Sequence, residues 1–160
     1  MTIRLTKLPG PPNHSEINSL AELGPAQLKL LDKPIYVTVA TTRSSGPPHL
    51  TVIWASRDDT HIYINSAKGR IKDRNLRARP AISLMAINPE SPYHWLSVEG
   101  TVVEIIDEED AERAAEVTAH IDDLGEAYVN KRPYPNRQPG EVRVRYKIEP
   151  TRIVAFGPLG

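Results

Sequence analysis

Between Lys68 and Arg79 six basic side chains (Lys68, Arg70, Lys72, Arg74, Arg77 and Arg79) surround a single acid, Asp73. Such crowding is repulsive unless water or an anion relieves it. The preceding run His61-Ile62-Tyr63-Ile64-Asn65 alternates as a short strand does. Small residues then allow a sharp exit into a helix, which must stop before Pro80 because a residue preceding proline avoids the helical region. Strand end, tight turn and helix start aim backbone N–H groups at one point, where a phosphate is favourably held. Arg70 can grip phosphate oxygens bidentately, Lys72 adds a point charge, and Asn75 adds neutral amide donors. Asn65 and Ser66 close the strand where a phosphate or a sugar-alcohol hydroxyl would be met. The competing reading of a bare charge run is a solvated helix face.

Other chemistry is hard to find. The five histidines (14, 49, 61, 94 and 120) form no pair at metal-ligand spacing, and HExxH, Walker and GxGxxG motifs are all missing. Cysteine is absent, which excludes disulfides, thiolate catalysis and cysteine-held metals. Carboxylates cluster at Glu104 to Glu112 and at Asp122-Asp123, on a predicted helix or its entry, where a solvated face is the simpler account. A phosphate cradle without catalytic side chains suits a cofactor-borne reaction, in which the protein supplies position and electrostatics. The strand His49 to Ser56 neighbours the cradle, so a flat ring laid along it would meet the backbone of Val52 and Ile53. His49 is either a polar surface residue or a site residue, and Trp54 either fills the core or touches the ligand. Trp95 suits a subunit interface or the core.

The formal net charge of zero over 160 residues leaves no global field to recruit nucleic acid or membrane. No signal core and no run of membrane-spanning length occurs, so the expected location is cytoplasmic. Chain length suits one domain.

The positioning elements follow from periodicity. Residues 1 to about 14, with Pro9-Gly10-Pro11-Pro12, read as an extended arm, and Ser15 to Asp32 as two short helical pieces split at Gly24-Pro25. Strands are expected at 35–42, 49–56, 61–65, 81–87 and 94–106, the last with a bulge at Gly100. A helix capped by Asp107 should run to about Val129. A strand from Val142 to Ile148 with one wet face and a short one at Ile153–Phe156 complete the chain. Short connections require antiparallel pairing, and roughly six strands can curl into a small barrel, so the class is mainly β with short helices.

Three segments carry a resemblance: Ser44 to Trp54, Lys68 to Pro80 with Arg70, Lys72 and Asn75-Leu76-Arg77, and Trp95 to Thr101. Together they are similar to the pyridoxamine-phosphate-oxidase-like split β-barrel proteins, in particular the branch of deazaflavin (coenzyme F420)-dependent reductases. The resemblance runs from about Leu28 to Phe156. It implies an N-terminal arm and helix (1–27), an FMN-binding split β-barrel (28–157), and a homodimer with the cofactor between subunits. F420 is the implied cofactor, with FMN as the alternative, and the implied reaction is hydride transfer to a small organic acceptor; the alternative is an FMN-binding oxidoreductase or a non-enzymatic flavin-binding protein of the same fold. Arg70, Lys72 and Asn75 would hold the cofactor phosphate, with Asn65 and Ser66 beside it. Thr51, Val52 and Ile53 would line the ring, His49 would sit at its side, and Trp95 and Ser97 would come from the second subunit. The pyridoxal-phosphate set expected near the chain end is missing, so pyridoxamine oxidation is not the implied activity. Loops 88–93 and 130–140 would shape the acceptor pocket.

Overall fold

Apolar β-branched residues alternating with polar ones make this a strand protein. The computed structural model describes residues 14–158. Its strands are β1 (His14–Ile17), β2 (Val37–Thr42), β3 (Pro48–Ile53), β4 (Ala55–Arg57), β5 (Ile62–Ala67), β6 (Ala81–Ile87), β7 (Trp95–Asp107) and β8 (Arg143–Phe156). Three α-helices intervene: α1 (Pro25–Asp32), α2 (Ile71–Ala78) and α3 (Ala114–Val129). The strands form one antiparallel sheet in the order β3-β2-β6-β7-β8-β5-β4, with β1 added along β8.

The two outer strands of this order, β3 and β4, are separated in the chain by Trp54 alone. The sheet must therefore curl until its edges meet at that residue. Val39, Ile53, Ala55, Ile64, Leu84, Val98, Tyr146 and Ile153, from seven strands, share one buried cluster inside the curl. This is a split β-barrel, as the strand count and short connections predict. Leu20, Leu23, Leu30 and Leu31 plug the same core, and α1 crosses the expected boundary between residues 27 and 28. Among the described residues no helix is long and apolar enough to cross a membrane.

Four local expectations need correction. The expected arm lies outside the described residues up to 13. From His14 the chain begins as a strand paired with the end of β8, where Glu16 meets Arg152 at 2.7 Å, and the two expected helical pieces follow as a 3-10 turn at Leu20–Glu22 and α1. The Val142–Ile148 and Ile153–Phe156 strands are one: Pro150 falls opposite Gly100 at the bulge, where a missing N–H is tolerated. A side chain on Gly100 would meet the Glu149 carbonyl at 2.8 Å, so the approach needs glycine. Asp107 ends β7 and does not cap α3; instead Asp110 accepts the N–H groups of Glu112 and Arg113, delaying the helix to Ala114. Finally, the wet face expected on β8 is covered by α3, and Arg143 is only 3% exposed.

Candidate functional site

The strand–turn–helix unit forms as expected, but Asp73 rather than an external anion takes its first N–H. Gly69 has φ +82°, the left-handed turn that glycine accepts without strain, and its N–H donates to Asp73 Oδ2 at 2.8 Å. That buried carboxylate also accepts from Tyr146 Oη at 2.7 Å and Arg77 Nε at 2.9 Å. Half of the basic run is ion-paired: Lys68 with Asp107 and Glu109, Arg77 with Asp73 and Asp107, and Arg70 with Glu141, while Arg74 and Arg79 donate to the carbonyls of Gly69 and Thr42.

Of the three without a carboxylate partner, Lys72 is the buried one. It is 7% exposed, and no carboxylate lies within ion-pair distance among the described residues. Burial first, then the neighbouring charges of Arg70 and Arg143, push its ammonium down to about 8. A buried cation flanked by two others is costly unless something anionic meets it.

The three cations face a cavity of about 180 Å3, with Asn65 beside them. Its apolar walls are Val52, Ile53 and Trp54 at the seam of the barrel, Tyr36, Ile121 and Leu124 of α3, and Tyr134. Trp54 stacks on Tyr128 at 5.2 Å and meets Tyr134 edge-on at 5.7 Å, so it belongs to an aromatic cluster as well as to the wall. On the other side of Arg70 and Lys72 lies an open groove of about 430 Å3, which His49 and Thr51 also line. His49 Nδ1 and Thr51 Oγ1 are buried there without hydrogen-bond partners, which leaves polar atoms for a ligand to satisfy. Burial, with Arg43 and Lys72 nearby, lowers the His49 pKa and favours the neutral ring.

The structure thus gathers Val52, Ile53, Asn65, Arg70 and Lys72 in one cavity and His49 and Thr51 in the adjoining groove. Two expected residues lie elsewhere, and Trp95 and Ser97, expected from a second subunit, line neither cavity of this one. Asn75 is buried and donates to Thr41 Oγ1 at 3.0 Å, tying α2 to β2. Ser66 is 1% exposed and lines neither cavity. Trp95 packs on Phe156 at 5.9 Å, outside both.

Sequence reasoning missed Arg143, Tyr134, Tyr36, Ile121 and Leu124. Arg143 stands on the strand face read as wet, Tyr36 just precedes β2, and the rest come from α3 and the loop after it. Only Tyr134 carried a signal, since loop 130–140 was expected to shape the pocket; none of residues 88–93 lines it. Arg143 Nε donates to Asn65 Oδ1 at 2.8 Å, which turns the Asn65 amide nitrogen toward His120 Nδ1 at 3.4 Å. With Nδ1 facing a donor, the proton sits on Nε2, 3.0 Å from Ser56 Oγ. Burial holds His120 down at about 4, so it is a neutral strut and cannot take a proton from Ser56 through Nε2.

A family model described as pyridoxamine 5'-phosphate oxidase matches residues 23–155. No curated protein matches the chain. Among solved structures, one described as F420 reductase is 28% identical, with 78% of this chain and 93% of that one covered and a TM-score of 0.67. A conserved hypothetical protein of Mycobacterium tuberculosis is 22% identical, covering 84% and 85%, with a TM-score of 0.64. HutZ, described as the heme storage protein of Vibrio cholerae, is 19% identical, covering 84% and 96%, with a TM-score of 0.59; these two likenesses speak to the fold alone.

Proposed function

Because the chain belongs to the pyridoxamine 5'-phosphate oxidase family, we propose that it is an oxidoreductase that uses reduced coenzyme F420, a deazaflavin, to reduce a small organic acceptor. The observation that carries this reading is the unpaired buried Lys72, set with Arg70 and Arg143 beside the apolar strip Val52–Trp54. Such a pairing of cations with a flat apolar wall fits a phosphate attached to a ring. The F420 reductase likeness favours deazaflavin over FMN, which would satisfy the same cations.

In this reading Arg70, Lys72 and Arg143 hold the phosphate, and His49 Nδ1 and Thr51 Oγ1 bond the polar parts of the cofactor. Val52, Ile53 and Trp54 support the ring and keep water from it. When bound, the deazaflavin supplies hydride. Tyr134 and its loop border the space left for the acceptor. The cavity of about 180 Å3 falls below the ~300 Å3 at which ligand pockets begin. Leu50 and Val52 are 63% and 64% exposed on the edge strand β3 beside it. A second copy lying against β3 covers this apolar surface and completes the site, so the working form is a homodimer.

Fluorescence titration of the purified protein with F420 and with FMN, alongside light scattering, tests the reading. Preference for F420 and a dimeric mass are expected. Preference for FMN moves the protein to flavin chemistry on the same site, and binding of neither removes the cofactor from the account.

A further inference from the structure

Glu141 does not line the cationic cavity, but its carboxylate takes up two of the three cations that do. Its side chain is 7% exposed, and its two oxygens are used separately: Oε2 accepts from Arg70 Nη2 at 2.9 Å and Oε1 from Arg143 Nη1 at 2.7 Å. Both guanidinium groups line the cationic cavity, and Lys72 between them receives no carboxylate. A carboxylate bridging two arginines satisfies them as two phosphate oxygens would, since guanidinium forks accept either anion. The two grips differ in firmness. Arg143 is 3% exposed and also bonded to Asn65, whereas the Arg70 side chain is 50% exposed and free to swing.

We propose that Glu141 is a built-in competitor for the cations of the cavity, a carboxylate that an incoming phosphate group must displace from Arg70 to bind. A doubly charged phosphate that also meets Lys72 outbids a single carboxylate for Arg70, and a singly charged ligand does not. Glu141 is therefore a specificity-determining residue that partly offsets the two arginines in the empty site and filters ligands by charge. The inference rests on reading the cavity as an anion site, and not on which cofactor carries the anion.

Calorimetric titration of the wild-type protein and the Glu141→Gln variant with inorganic phosphate at low salt tests it. Removing one negative charge a few ångströms from the binding point is expected to tighten phosphate binding about tenfold. Glu141→Asp, which keeps a charge beside Arg143 and is too short to span both arginines, is expected to tighten it severalfold and serves if the glutamine variant does not fold. A structural role that merely holds Arg70 in place predicts the reverse. Unchanged or weaker phosphate binding in the variants overturns the proposal, as does no phosphate binding by any of the proteins. Tighter binding in the variants together with no affinity for F420 or FMN leaves the role of Glu141 standing and removes the cofactor reading instead.

Discussion

Replacing Lys72 by methionine should make the protein more stable while impairing its site. A lysine whose ammonium titrates at about 8 instead of 10.5 carries at neutral pH a folded-state cost of up to about 3 kcal/mol. Relaxation and water reaching the cavity reduce that to on the order of 1–2 kcal/mol. Methionine keeps most of the stem's volume and removes the charge. Lys72→Met should therefore gain that amount at pH 7, a rise in Tm of roughly 2–6 °C. The size of the gain depends on pH. The folded pKa is depressed, so the unfolded chain binds more protons between about 8 and 10.5, and wild-type stability climbs through that window. The variant has no such climb, and its advantage should vanish by the top of the window. Urea unfolding of both proteins from pH 7 to 10.5 reads this directly. A variant less stable at pH 7, or an advantage independent of pH, would show that Lys72 is a satisfied structural residue and not a cation kept waiting for an anion.

Two further substitutions probe the frame of the site. A Cβ at Gly125 would meet the Lys131 carbonyl at 2.8 Å and Tyr134 Cα at 3.4 Å, so Gly125→Ala should push the loop off α3. Overpacking at about 1–3 kcal/mol should outweigh the helix-propensity gain of about 1 kcal/mol, giving a lower Tm and altered Trp54 emission; an unchanged Tm would contradict it. Glu108 is held down at about 2, chiefly by Arg137, with Thr118 and the Arg143 N–H also donating to it. Its contribution is full above the ordinary carboxylate range and is lost as pH falls toward 2. Glu108→Gln should cost on the order of 1 kcal/mol at pH 7 after solvent screening and flatten the acid limb of the stability curve, which acid titration followed by circular dichroism checks.

Arg70, Lys72, Val52 and Ile53 are legible in the sequence because each belongs to a strand, turn or short helix whose local pattern is strong. Their meeting is also legible, since a hairpin and a strand–turn–helix unit leave few arrangements. Arg143 is not. Alternation on β8 places it correctly on one face, but only α3, arriving from another part of the chain, decides that the face is buried. Asn75 and Ser66 illustrate the reverse error: residue type suits a phosphate, yet helix phase and strand parity turn both inward. The basic run misleads for a similar reason, because its counter-charges at Asp107, Glu109 and Glu141 lie more than thirty residues away. Four-residue β1 is too short to announce itself against the helical leucine spacing that follows.

The seam at Trp54 has a mechanical consequence. Since the two sheet edges meet in one residue and β2 is held by β6, the edge strand β3 can part from β4 only by flexing of the β6–β2–β3 flank about that pivot. Val52 lies about 7 Å along the strand from that pivot and His49 about 16 Å. A rotation of ten degrees would then shift Val52 by about 1 Å and His49 by nearly 3 Å. The jaw is stiff beside the aromatic cluster and adjustable at its mouth, so under the proposed function one end would grip a ring of set thickness and the other would take head groups of differing bulk.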